Sequence, residues 1–259
     1  MRSRKGPFFR PRFDTMKSVV IIPARFKSSR FPGKPLIDLR GKSMIQRTWE
    51  RCNLAVPAED IYVATDDNRI ADHCEERGIQ SVMTSSNCLT GTDRVWEAAN
   101  QIPADIYLDV QGDEPIIDPK DILAVLEAAK KYPGDIVNGM CPIDNEEEFF
   151  SPMIPKVIAR PDGRLMYMSR APIPSNKDHR FVTAKRQVCV MAFTKEALDQ
   201  FTSVSAKTPI EQIEDLEVLR FLELGFDVRM VDVSSSSIAV DTPEDVTRVE
   251  RALEERGVE

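Results

Sequence analysis

Three observations predict an α/β fold with a mixed, mostly parallel central sheet and a smaller antiparallel insert. Strand-like and helix-like runs alternate from residue 17 to about residue 129, which is βαβ grammar. Two of the runs, 19–22 and 106–110, are apolar enough to lie in a sheet covered on both faces. Beyond Pro133 the pattern changes to short β runs between Pro-rich and Asp-rich turns, which marks residues 134–195 as the insert.

The first strand, 19–22, is the β-branched run VVII, and it breaks off at Pro23-Ala24-Arg25. A helix follows over 44–56, where Ile45, Trp49, Cys52 and Val56 recur at helical spacing. The strand 61–64 ends in Thr65-Asp66-Asp67, an N-cap pattern for a helix over 69–77. A short strand at 81–83 precedes a helix over 92–101 that carries Asp93 and Arg94 in its first turn. The strand 106–110 runs into Gln111-Gly112-Asp113-Glu114-Pro115, and a helix covers 121–131. In the insert, β runs are expected at 136–140, 156–159, 166–168 and 188–193. Helical periodicity returns at 210–224, then a strand at 227–233 and a last helix after Thr242-Pro243-Glu244.

The chain of 259 residues can bury one substantial core. Its 42 acidic against 35 basic residues leave a net charge of −7, which argues against a general nucleic-acid or membrane-surface protein. Five cysteines, odd in number and without a CxxC pair, favour neither a disulfide framework nor a zinc cluster, so a reducing cytoplasm fits best. The two histidines, His73 and His179, have no metal-ligand spacing, and His73 reads as a surface or boundary residue of a helix. No apolar run reaches the roughly 18 residues of a membrane span. Residues 1–15 are basic, contain Pro and lack the apolar core of a secretory signal. They are expected to be a disordered extension before a second start at Met16, with a short targeting arm as the lesser alternative.

The basic loop after the first strand is the sharpest chemical feature. Arg25, Lys27, Arg30 and Lys34 surround Pro23, Ser28, Ser29, Pro32 and Gly33 at a strand's carboxyl end, where open α/β sheets bind ligands. This is how a chain holds a polyphosphate, although the spacing is neither GxGxxG nor a P-loop, and a solvated basic loop would read the same way. Asp113 and Asp241, in QGDEP and VDTPED, each follow a β-like run and could face one cleft. Such a carboxylate pair would hold Mg²⁺, whose remaining positions a nucleotide's phosphates and water fill. Asp241 or Thr242 would equally serve as a cap for the last helix, with Pro243 in its first turn.

IPARFKSSRFPGKPL, VATDD, MTSS, GTDR, QGDEP, SRAPIP, PIEQIEDLEVLR and VDTPED occur in the order seen in the 3-deoxy-manno-octulosonate (Kdo) cytidylyltransferases, the CMP-Kdo synthetases. From Met16 onward nearly the whole chain resembles that family. The resemblance implies a Rossmann-like nucleotidyltransferase fold spanning 16–259, a cytoplasmic homodimer, CTP and an acidic sugar as substrates, and Mg²⁺ as cofactor. It implies that Arg25 and Lys34 hold the triphosphate with Arg30 helping, and that Asp113 and Asp241 are the metal ligands. Arg25, Lys34 and Asp113 would then be the groups on which catalysis turns. Backbone groups near Pro23 and Ala24 would read the base, with Arg94 donating to the cytosine carbonyl, though Arg94 could instead pair with Asp93 or Glu97. The sugar would meet Arg170 through its carboxylate and Gln111, Glu211 and Gln212 through its hydroxyls. Glu211 and Gln212 also suit a helix cap, and Arg170 also suits a surface position.

One segment departs from the family. Where RHLGIYGYR is usual, residues 186–194 read RQVCVMAFT, so a His, two Gly and two Tyr are replaced. Gln187 in the place of His cannot become cationic. The expectation is an enzyme that activates a Kdo-type acid and tolerates or prefers a modified one, such as 8-amino-Kdo, whose ammonium fits poorly beside a protonated His. A nonulosonic acid as the sugar, or a nucleotide-binding module without transfer activity, are the alternatives.

Overall fold

The computed structural model describes residues 16–27 and 31–257. The expected basic extension and Arg30 therefore lie outside the described residues.

In chain order the elements are β1 (Ser18–Ala24), the hairpin β2 (Asp38–Leu39) and β3 (Lys42–Ser43), α1 (Met44–Asn53), β4 (Ile61–Thr65), α2 (Asn68–Glu75), β5 (Ser81–Met83), α3 (Gly91–Ala99), β6 (Ile106–Val110) and α4 (Pro119–Lys131). Then come β7 (Ile136–Ile143), α5 (Glu146–Phe150), β8 (Lys156–Ala159), β9 (Leu165–Ser169), β10 (Ala184–Phe193), α6 (Lys195–Phe201), α7 (Pro209–Glu214), α8 (Val218–Glu223), β11 (Val228–Asp232) and α9 (Pro243–Glu255). Among the described residues, seven strands run β11-β7-β10-β6-β1-β4-β5 across one sheet, and β8 and β9 extend it beside β10. Pairing is parallel everywhere along that path except on the two sides of β10. The sheet is thus mixed and mostly parallel, as the alternating pattern predicts.

Burial on both faces follows from the composition of the central strands. Val19 and Ile21 of β1 point into a core with Val95 and Ala98 of α3 and with α6 and α8, while Val20 and Ile22 pack among Ile45, Ile70 and Ile122 on the other face. All four are at most 1% exposed, and each contributes about 1.5–3 kcal/mol of hydrophobic stabilisation. The caps fix where helices start. The Ser43 hydroxyl accepts from Gln46 N at 3.2 Å to begin α1, and Asp118 with Pro119 begins α4.

Two expectations change. Residues 134–195 do not stand apart as a block: β7 and β10 are central strands, and only β8 and β9 between them form the smaller antiparallel part. The helix expected over 210–224 is two helices, because Asp215 adopts a left-handed φ of 52° and turns the chain between α7 and α8. That turn carries Glu217 to the start of α3, where its carboxylate accepts from Gly91 N at 3.1 Å and Thr92 N at 2.8 Å.

β10 creates a fork. Val190–Phe193 pair with β6, while Lys185 and Arg186 on the same edge pair with β8. Between them β10 bulges, and Asn138 of β7 spans the bulge by donating to Val188 O and Val190 O, both at 2.9 Å. The carboxyl end of β6 opens into this fork.

Candidate active site

The carboxyl ends of β1, β4 and β6 meet on one rim of the sheet, and the chain closes tightly there. A Cβ on Gly112 would lie 2.8 Å from Pro23 O, so only glycine lets the β6 turn sit against the end of β1. The basic loop is folded back by Gly33 N donating to Phe26 O at 2.9 Å, with Gly33 at φ 73°. A short 3₁₀ turn, Lys34–Leu36, then aims Lys34 across the rim.

Lys34 is where the distant acidic turns converge. Its Nζ donates to Asp113 Oδ2 at 2.7 Å and to Val240 O at 2.8 Å, and lies 3.7 Å from Asp241 Oδ1. The two turns are also joined through backbone, with Val240 N donating to Asp113 O at 3.0 Å. The cap of α9 leaves the Asp241 carboxylate for this contact. Thr242 and Asp245 form the capping box, and Asp245 Oδ2 takes the Asp241 N–H at 3.1 Å. The capping reading of VDTPED therefore falls on Thr242 and Asp245, and Asp241 beside them faces Lys34.

Beside this trio Glu114 is buried, and its carboxyl accepts from the Ser237 hydroxyl. Burial first, and the Asp113 carboxylate second, push Glu114 up to about 7. Asp113 and Asp241 thus share one lysine, with Glu114 buried next to Asp113.

The other expected nucleotide residues that are described, Arg25, Pro23, Ala24 and Arg94, lie at or against strand ends on the same side. Arg25 follows directly on β1 and is exposed, while Pro23 and Ala24 pair with Ala64 and Thr65 of β4. Arg94 is only 3% exposed and pairs with neither Asp93 nor Glu97. Its guanidinium reaches Asp66 Oδ2 at 3.3 Å and donates to Thr84 Oγ1 at 2.5 Å, which ties it to the ends of β4 and β5. Asp66 Oδ1 is buried there without a hydrogen-bond partner.

The expected sugar residues divide. Gln111 continues from β6 into the fork, and Gln187 stands on β10, donating its amide to Asn138 Oδ1 at 2.9 Å. Gln212 is exposed on α7. Glu211 is a correction: it is fully buried, Arg220 takes both its oxygens at 2.6 and 2.7 Å, and it closes the capping box of α7 with Thr208. No oxygen of Glu211 faces a cleft. Arg170 is likewise tied down, donating to the carbonyls of Glu214 at 2.6 Å, Pro152 at 3.0 Å and Asp215 at 3.1 Å. Its guanidinium braces the 151–154 turn against α7 from a partly exposed position.

Sequence reasoning also passed over Asp66, Asp109, Asn138, Glu217 and Ser237. Asp109 alone carried a signal, an ionisable residue inside the otherwise apolar strand IYLDV.

A family model described as cytidylyltransferase matches residues 19–230. The 8-amino-3,8-dideoxy-manno-octulosonate cytidylyltransferase of Shewanella oneidensis is 39% identical over 243 residues, covering 92% of this chain and 99% of its own length. The mitochondrial 3-deoxy-manno-octulosonate cytidylyltransferase of Arabidopsis thaliana is 38% identical over 245 residues, 93% of this chain and 84% of its own length. A solved CMP:2-keto-3-deoxy-manno-octonic acid synthetase complexed with CTP aligns at a TM-score of 0.86 with 33% identity, over 93% of this chain and 99% of that one. With fold, strand-end geometry and likeness in agreement over nearly its full described length, the chain belongs to the cytidylyltransferase family, beside the Kdo and 8-amino-Kdo cytidylyltransferases.

Proposed function

We propose that the protein transfers CMP from CTP to a Kdo-type 3-deoxy-octulosonic acid and releases pyrophosphate. The observation that carries this reading is the Lys34 ammonium reaching both Asp113 and Asp241 at the rim of the sheet. In the reaction the sugar's anomeric hydroxyl attacks the α-phosphorus, and the bond to the pyrophosphate oxygen breaks. The protein's part is alignment and charge stabilisation, with no covalent nucleophile. Arg25 and Lys34 would stabilise the charge that gathers on pyrophosphate, and the backbone at Pro23 and Ala24 would hold the base. Arg94, held by Asp66 and Thr84, would donate to the cytosine carbonyl.

The donor set suits Mg²⁺. Two carboxylates converge on one cationic position, all donors are hard oxygens, and Mg²⁺ takes one or two protein carboxylates beside phosphates. Asp113 and Asp241 would hold it, and when bound it supplies the charge neutralisation that lets a triphosphate approach an acidic corner.

On the sugar side we propose that an 8-amino-Kdo-type acid is accepted. Gln187 is neutral, and because its nitrogen is committed to Asn138, its amide oxygen remains as an acceptor for an ammonium. Met153, Met166 and Ile213 are 55%, 59% and 83% exposed on the part built from β8, β9 and α7, which supports a homodimer closed over that face. The five cysteines are free thiols, which supports a cytoplasmic location.

The test is pyrophosphate release with CTP and Mg²⁺, comparing Kdo, 8-amino-Kdo and a nonulosonic acid. Release with a Kdo-type acid is expected. Release only with the nonulosonic acid, or with none of them, overturns the reading.

A further inference from the structure

Asp109 is the next-to-last residue of β6, paired with Ile21 on one side and Met191 on the other, and is 0% exposed. A carboxyl there is costly to bury, and a packed sheet core has no need of one. Both of its oxygens face a single group: Gln111 Nε2 donates to Oδ1 at 3.0 Å and to Oδ2 at 2.8 Å. On its other flank the Gln111 amide lies against Gly91, where a Cβ would stand 3.0 Å from Nε2. Gly91 is itself held by Glu217, which fixes the first turn of α3. The amide is thereby clamped between a strand and a helix start. Burial, and then the nearby Glu217 charge, push the Asp109 carboxyl well above the ordinary carboxylate range.

We propose that Asp109 is a positioning residue that commits the nitrogen of the Gln111 amide inward and so presents its oxygen to the sugar. An amide so oriented offers an acceptor only, and it selects a donor on the sugar, a hydroxyl or an ammonium, at that point. It meets the sugar's carboxylate poorly. The inference rests on the function proposed above, since it needs a sugar at the end of β6.

The test uses the full chain and steady-state kinetics with the Kdo-type acid that the wild type turns over. Asp109→Leu keeps the branched shape but offers the amide no acceptor, so Gln111 is free to turn over. The sugar KM is expected to rise about tenfold with the CTP KM unchanged. In a Gln111→Ala background the same substitution should have no further effect on the sugar KM, a non-additivity that a purely structural role does not produce. Gln111→Glu probes the contact from the cleft side. A carboxylate presents oxygen whichever way it turns, so this variant should hold the sugar KM nearer the wild-type value than Gln111→Ala does, whether or not Asp109→Leu folds. If sugar and CTP KM rise together in Asp109→Leu, if its effect adds to Gln111→Ala, or if Gln111→Glu and Gln111→Ala are equal, the inference is wrong. A wild type that releases no pyrophosphate with any sugar acid would instead sink the functional reading beneath it.

Discussion

Arg220 grips both oxygens of Glu211, Nε on Oε2 at 2.6 Å and Nη2 on Oε1 at 2.7 Å, and both residues are 0% exposed. The guanidinium also stacks 3.7 Å from the centre of the Phe201 ring. The pair joins α7 to α8 and, through Asp93 at 3.4 Å, to α3.

Removing one partner leaves the other charge buried and uncompensated. Glu211→Ala is expected to lower stability by about 3–5 kcal/mol, read as a drop in the urea midpoint. Replacing both together, Arg220→Met with Glu211→Leu, should recover most of that loss. A Glu211→Ala chain as stable as the wild type would return Glu211 to the list of sugar contacts.

Lys34 and the two aspartates should respond to substitution with opposite signs. Lys34→Met removes the cation and is expected to lower kcat/KM by about 10²–10³-fold. It also removes the competitor for Asp113 and Asp241, so the Mg²⁺ concentration for half-maximal rate should not rise. Asp113→Asn and Asp241→Asn should raise it. Lys34→Arg should not restore activity, because a planar fork cannot replace a point charge set among two carboxylates and a carbonyl. Mg²⁺ titrations of the four variants check the pattern.

Gly112→Ala tests the closure of the rim. Its Cβ would stand 2.8 Å from Pro23 O, a backbone atom that cannot rotate away. The end of β1 and the Asp113 turn must separate, at about 1–3 kcal/mol of stability. With Pro23 holding the base as proposed, the CTP KM should rise more than the sugar KM.

Much of this site was legible because its parts are local. Lys34 after a Gly, Asp113 in QGDEP and Asp241 in VDTPED each lie on the connection that follows β1, β6 or β11, and the segments leaving strand ends are where an α/β sheet puts its ligands. Glu211 misled for a physical reason. A Glu at the third position of a helix suits a cap or a cleft equally, and only Arg220, folded back across the turn at Asp215, decides between them. Arg94 was visible as a cation, but its partner Asp66 lies on another strand end. The same holds for β10, whose sharing of one edge between β6 and β8 depends on a bulge spanned by Asn138 from β7.

His73 is more than a boundary residue. Its Nε2 lies 2.6 Å from the Ser43 hydroxyl, which also accepts from Gln46 N to cap α1. The two share one hydrogen bond, in which the ring accepts or donates according to whether Nε2 carries a proton. Burial first, and the Arg77 charge second, hold His73 below its ordinary value of 6.5. The folded state therefore binds this proton less readily than the unfolded one. The contribution is whole above pH 6.5, shrinks as pH falls from there to the folded value, and is gone below it. Urea midpoints at pH 8 and pH 5 should differ less in His73→Gln than in the wild type. Ser43→Ala should cost about 1 kcal/mol at pH 8.

Gln187→His tests the basis of sugar choice. A histidine could reproduce the donation to Asn138 with one ring nitrogen, so the brace across the bulge of β10 should survive. Unlike the amide, the ring acquires positive charge below about pH 6.5. A sugar bearing an ammonium would then be repelled, while one bearing a hydroxyl in its place would not. The ratio of kcat/KM for 8-amino-Kdo over Kdo is expected to fall by about fivefold at pH 6 and by less at pH 8, the size of one like-charge contact in a partly solvated cleft. A ratio that falls equally at both pH values would mean that shape, and not charge, separates the two sugars at this position.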